Sequence, residues 1–165
     1  PVRRLEAEVL RDSLFMIGNT GEEYMSPIPE PYTFIPKEQR TILLADGSIT
    51  SPFLELFGRP ARDTGFESER NNKITDAQER YLLISTDIQR IVSQSTRLRE
   101  IMRRAKWNAS EIIRQYYLLI LSRYPTPGET ARAEQYFRTP NLSPTQAADD
   151  LAWALINTKE FLHRH

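Results

Sequence analysis

Six prolines, Pro27, Pro29, Pro31, Pro36, Pro52 and Pro60, lie between Gly21 and Asn72, and they limit what this chain can form more than any other feature. Each one fixes φ and removes a backbone donor, so the stretch supports neither a long helix nor a central strand. It splits the chain into three parts. In residues 1 to 20, Val2, Leu5, Val9, Ser13 and Met16, flanked by Leu10, Leu14 and Ile17, have helical spacing. They predict a helix over about residues 2 to 17, stopped by Gly18 and Asn19. Residues 21 to 72 read as irregular, with one short helix in Ser51-Pro52-Phe53-Leu54-Glu55-Leu56-Phe57-Gly58, framed by a serine cap, a first-turn proline and a closing glycine. Thr41 to Leu44, before Asp46-Gly47, reads as a short strand.

Residues 73 to 165 carry regular helix starts. In each, a Ser, Thr or Asn can accept a hydrogen bond from a backbone amide three residues on, where a Glu or Gln can return the bond. The pairs are Thr75 with Gln78, Thr86 with Gln89, Asn108 with Glu111, Thr126 with Glu129, and Ser143 with Gln146. Thr126-Pro127 and Ser143-Pro144 add the proline that suits a first helical position. Between the starts run three apolar stripes: Leu98, Ile101, Met102 and Ala105; Ile112, Ile113, Tyr116, Tyr117 and Ile120; and Leu151, Ala154, Leu155, Thr158 and Leu162. Short connections make neighbouring helices antiparallel. The expected fold is therefore all-α, a compact helical bundle with a long proline-rich irregular segment after the first helix. With 165 residues the chain is expected to be one domain.

Charge and composition narrow the function. Lys plus Arg (22) equals Asp plus Glu (22), so the chain projects no net field towards nucleic acid or an anionic membrane. It has no cysteine, which removes thiolate metal sites, cysteine nucleophiles and covalent haem attachment within these residues. The longest apolar runs, such as Leu151-Ala152-Trp153-Ala154-Leu155-Ile156, are far shorter than the roughly 20 residues that span a bilayer. The chain opens at Pro1 inside an amphipathic repeat, with no signal-peptide pattern, so it is expected to be the C-terminal part of a longer protein.

Several blocks carry a family resemblance. They are Phe57-Gly58-Arg59-Pro60 with Arg62-Asp63-Thr64 and Glu69-Arg70, then Leu121-Ser122-Arg123-Tyr124-Pro125-Thr126-Pro127-Gly128-Glu129, then Trp153-Ala154-Leu155-Ile156-Asn157-Thr158-Lys159-Glu160-Phe161-Leu162, together with the opening Leu5 to Asp12. The chain resembles a planctomycete-type C-terminal domain of unknown function found in cytochrome c-like multidomain proteins. The resemblance implies an extracytoplasmic protein, periplasmic or secreted, whose upstream domains include a haem-binding one and are the partners of this domain. Many members carry C-x-C-E-R, where this chain has Phe66 and Ser68 before Glu69-Arg70, so any redox or metal role of those cysteines is missing here.

The densest polar cluster is Arg59, Arg62, Asp63, Glu67, Glu69 and Arg70. Arginines beside carboxylates can hold an anionic or sugar ligand or do acid-base work, which would make the chain part of an enzyme or glycan-binding site completed by the missing upstream domains. Networks of this kind more often pin a loop, and the cluster is expected to be a structural latch. Arg97, Arg99, Arg103, Arg104 and Lys106 beside Trp107 form a basic stretch, but Glu100 can pair within it and nucleic-acid binding is not expected. His163 and His165 make at most two metal ligands, with no third at helical spacing; no metal and no cofactor is expected. The resemblance places a histidine at the position of His165. Tyr116, Tyr117, Tyr136 and Phe137 offer a platform for a carbohydrate ligand, although aromatics at helical spacing are more often core. There is no G-x-S-x-G elbow and no glycine-rich phosphate loop. The chain itself reads as non-catalytic, a helical accessory or interaction module. Whether the charged side chains converge on an open cleft or are consumed by one another separates that reading from the enzyme.

Overall fold

The computed structural model describes residues 3–26, 34–36, 38–44, 49, 51–59, 73 and 75–164. The fold is helical. Its helices are α1 (Ala7–Gly18), α2 (Pro52–Leu56), α3 (Asp76–Ile84), α4 (Thr86–Ser93), α5 (Thr96–Arg104), α6 (Ala109–Leu121), α7 (Pro127–Phe137), α8 (Pro144–Ile156) and α9 (Lys159–Leu162). Two-residue strands β1 (Arg3–Arg4) and β2 (His163–Arg164) pair antiparallel, Arg3 with Arg164 and Arg4 with His163. Among the described residues between Gly21 and Ser51 the one regular element is a 3-10 turn, Thr41–Leu43. Asp46-Gly47, which follows the segment expected as a strand, lies outside the described residues.

Helix α1 packs against α2, α4, α5 and the 3-10 turn, while α6 packs against α5, α7, α8 and α9, and α4 meets α8. One continuous core joins these groups, from Leu10, Leu14 and Ile17 on α1 through Ile88, Leu98 and Met102 to Ile112, Ile113 and Tyr116 on α6. Helix α8 brings Ala148 and Ala152, both fully buried, into that core, and small side chains let helices approach closely. Helix α7 is different. It buries no residue, yet lies against both α6 and α8.

The caps work largely as expected. Thr75 with Gln78 and Thr126 with Glu129 form complete capping boxes; Asn108 and Ser143 accept from the amides of Glu111 and Gln146. Helix α4 starts differently, because one residue, Ser85, separates it from α3 and Thr86 is already helical. Ser85 is its cap, accepting from the Asp87 amide. Ser95 and Thr158 are further caps that the sequence reading omits. Ser95 also donates to the Ile17 carbonyl at 2.8 Å, fastening α5 to α1.

Four expectations need correction. Helix α1 begins at Ala7, not Val2, because Arg3 and Arg4 pair with the C-terminal strand and the Leu5 amide donates to the Leu162 carbonyl at 2.9 Å. Its core face is Ala7, Leu10, Leu14 and Ile17, with Met16 exposed, because Glu8, Arg11 and Asp12 are buried on the same side and blur the apolar stripe. The expected strand from Thr41 is a 3-10 turn: the Asp12 carboxylate accepts from the amides of Thr41 at 2.7 Å and Ile42 at 3.1 Å, taking the donors a ladder would need. The buried face of α8 is Ala147, Ala148, Ala152, Leu155 and Ile156, which leaves Ala154 exposed.

Helix ends explain two small residues. Asn19 takes the left-handed conformation, φ 52°, that stops α1. Gly18 is required by close approach, since a Cβ there would lie 2.9 Å from Cγ2 of Ile91 on α4. Helix α2 has its serine cap, its proline and Gly58 at φ 90°, and it carries Phe53 and Phe57, whose rings stack at 4.5 Å and both meet Tyr81 on α3 edge-on. Phe57→Ala is expected to destabilise the domain by about 3–5 kcal/mol, the range for emptying a buried aromatic site, as measured by urea unfolding.

Candidate functional site

Of the predicted cluster, Arg59 is described; Arg62, Asp63, Glu67, Glu69 and Arg70 lie outside the described residues. Arg59 follows the left-handed Gly58, and its amide donates to the Leu54 carbonyl at 2.8 Å, so the α2 terminus fixes its backbone. The side chain runs inward. Nη1 lies 3.5 Å from a Glu8 carboxylate oxygen and Nη2 donates to the Leu44 carbonyl at 3.3 Å, with both charged side chains buried. Arg4 sits near the same place, donating to the Phe57 carbonyl at 2.6 Å with its guanidinium 5.4 Å from the Phe57 ring.

A third buried arginine, Arg11, donates to Asp87 at 2.5 Å and to Glu22 at 3.2 Å, and its guanidinium lies over the rings of Phe15 and Phe53. Burial works against its charge, but hydrogen bonds and attraction from Asp87 and Glu22 outweigh that and raise its pKa. Asp87 shows the reciprocal effect: burial pushes its pKa up, while Arg11, with Arg90 and Tyr81, brings it below the usual carboxylate value. The sequence reading missed Glu8, Arg11 and Asp12 as a group. Their sign in the sequence is three charged residues on the face that Leu10 and Leu14 define as inward.

Arg123 forms a third centre. It donates to both oxygens of Glu129 and both of Glu160 at 2.6–2.9 Å, and also to the Tyr124 carbonyl. Its guanidinium stands 5.3 Å from the Tyr117 ring. Hydrogen bonds from Arg123 and then from the Thr126 amide hold the Glu129 carboxyl down at about 2. This arginine ties together two C-terminal segments, one contributing Arg123 and Glu129, the other Glu160.

The basic stretch is spread over local partners. Arg99 makes a two-pronged bond to Asp149 at 2.6 and 2.8 Å, and Arg103 and Arg104 both pair with Glu100. His163 Nδ1 lies 2.6 Å from the Lys159 carbonyl, and His165 lies outside the described residues. Among the described residues no three His, Asp or Glu side chains are grouped to hold a metal ion, and no helix is long and apolar enough to cross a membrane.

The aromatic platform divides. Tyr116 is fully buried, its hydroxyl directed at the Leu98 carbonyl, and burial raises its pKa. Tyr117, Tyr136 and Phe137 instead line an open cleft of about 690 Å³ between α7 and α8, joined by Trp153. Arg132 and Asp150 stand at its walls, and the Tyr136 hydroxyl donates to Asp150 at 2.7 Å.

A helical domain with Arg4, Arg11 and Arg59 buried in its interior and an aromatic cleft on one side is what this fold and these sites define. The chain belongs to the family described as PSD1: Protein of unknown function (DUF1553), which matches residues 1–137. No curated protein and no solved structure matches it.

Two predictions concern these centres. Arg59→Ala leaves the Glu8 carboxylate in the interior without that partner and is expected to cost roughly 3–5 kcal/mol. The exposed control Arg80→Ala should stay within about 0.5 kcal/mol in the same denaturant series. The depressed Glu129 carboxyl contributes stability that is fully present above its ordinary value of 4.5 and is lost as pH falls towards 2. Thermal melts from pH 6 to pH 2 are expected to fall across that window, less steeply in Glu129→Gln.

Proposed function

We propose that this domain is a non-catalytic helical accessory module that packs against upstream domains of an extracytoplasmic, cytochrome-associated multidomain protein. The observation that carries the reading is the fate of Arg59. It leads the polar cluster on which an enzyme site would have to be built, and among the described residues its side chain is buried against Glu8 and the Leu44 carbonyl. A guanidinium held in this way cannot reach a substrate without opening the core. Arg11 is committed in the same manner, to Asp87 and Glu22. The cytochrome and extracytoplasmic elements of the proposal rest on the sequence blocks described above. Covalent haem attachment needs cysteines, so the haem of such a protein would belong to its other domains.

The surface for packing is where apolar side chains reach solvent beside α1. Met16 is 45 % exposed, and Ile42 and Leu43 on the 3-10 turn are 44 % and 63 % exposed. Amide exchange at residues 41–44 is expected to be slower in the full-length parent than in this chain alone, because docking buries these side chains. Identical exchange in both would count against the packing. Melting separates module from enzyme: Arg59→Ala in the parent should lower this domain's melting temperature in step with any loss of activity. Lost turnover at an unchanged melting temperature would support the enzyme alternative.

A further inference from the structure

We propose that the cleft between α7 and α8 binds a neutral oligosaccharide whose chain crosses Trp153. The inference adds a ligand to the accessory reading and does not depend on the packing against upstream domains.

The shape comes from α7, which buries none of its residues and so leaves a gap along α8 with Tyr117 of α6 at its base. The volume, about 690 Å³, lies within the roughly 300–1,000 Å³ usual for small-ligand sites. A second hollow of about 440 Å³ lies alongside, lined by Gln89, Ser93 and Gln146. Trp153 and Asp150 line both hollows. The two therefore form one elongated surface with an indole and a carboxylate at its middle. Each hollow is larger than one sugar ring, and the two together have room for a chain of several.

Charge then selects the ligand. Of the acidic groups lining the two hollows, Glu129 shares Arg123 with Glu160, and Asp149 pairs with Arg99. That leaves Arg132 and Asp150, one of each sign, so the surface favours neither a polyanion nor a polycation. Both keep capacity for new hydrogen bonds. Asp150 accepts from the Tyr136 hydroxyl through one oxygen, and the bond from Arg132 is a 3.5 Å contact with the Gly128 carbonyl. Gln89, Gln146 and Ser93 add donors and acceptors without charge. The apolar part is mostly aromatic, with Tyr136 44 % exposed. Flat aromatic faces flanked by amides, a hydroxyl and one carboxylate match a pyranose, which has apolar C–H faces and a rim of hydroxyls. Gln89, Gln146 and Ser93 offer partners to a rim of hydroxyls, whereas the apolar face of a docked helix would leave them unsatisfied.

The test is titration of this chain with defined neutral hexasaccharides (gluco-, manno-, xylo- and chito-series), followed by calorimetry and tryptophan emission in a Trp107→Phe background, so that emission reports Trp153. At least one series is expected to bind, with affinity falling about tenfold or more when the hexamer is shortened to a dimer. Trp153→Ala should abolish binding. Because that variant could also loosen α8, Asp150→Asn and Tyr136→Ala serve as milder probes, each expected to weaken binding about tenfold at an unchanged melting temperature. No response to any hexasaccharide overturns the proposal, as does binding that survives Asp150→Asn and Tyr136→Ala undiminished. Tighter binding of a heparin hexasaccharide or of an amphipathic helical peptide at the same residues overturns it in favour of that ligand. Failure here leaves the exchange result at residues 41–44 untouched, so the two readings fall separately.

Discussion

Glu8, Arg11 and Asp12 enter the interior with α1, and a charge removed from water costs several kcal/mol unless partners replace its hydration. The surrounding structure supplies those partners. Arg59 arrives from the end of α2, Asp87 from the first turn of α4, Glu22 from the chain just after α1, and the amides of Thr41 and Ile42 from the 3-10 turn. Each partner comes from a different segment, so satisfying one helix's charges fixes the position of four others. Apolar burial supplies the bulk of the driving force, yet it is indifferent to small displacements. The charge pairs are directional and set the register.

This division of labour explains how a proline-rich stretch can hold a conformation. Pro52 starts α2, Gly58 stops it, and the five-residue helix between them is too short to persist alone. Phe53 and Phe57 anchor it against Tyr81, while Arg4 and Gln78 take the carbonyls of Phe57 and Leu56 that its C-terminus leaves over. The short helix is thus a connector between the first strand, α1 and α3.

Local chemistry was legible in the sequence and long-range pairing was not. Thr126-Pro127 and Ser143-Pro144 start helices because the cap, the proline and the amide it serves all lie within a few residues. The inward face of α1 escaped, because Glu8, Arg11 and Asp12 look solvent-facing until partners up to 76 residues away are known. The early end of β1 escaped for the same reason, its partner being the last strand. At the candidate site, Arg59 stands out in the sequence as part of a polar cluster, but its buried contact with Glu8 does not. Tyr117, Tyr136 and Phe137 were seen as a platform together with Tyr116; only packing shows that Tyr116 turns inward and that Trp153 takes its place.

The pairing of β1 with β2 has a consequence for how the chain is made. Arg3 and Arg4 find their partners only when residues 163 and 164 have left the ribosome, and a pairing of such sequence separation forms late. Until then α1 has no strand leading into it, and Arg4 is not yet positioned by β2 on the Phe57 carbonyl. Vectorial synthesis therefore pairs β1 after every helix of this domain, and removal of residues 163 and 164 would be felt first at Arg3 and Arg4, about 160 residues earlier in the chain.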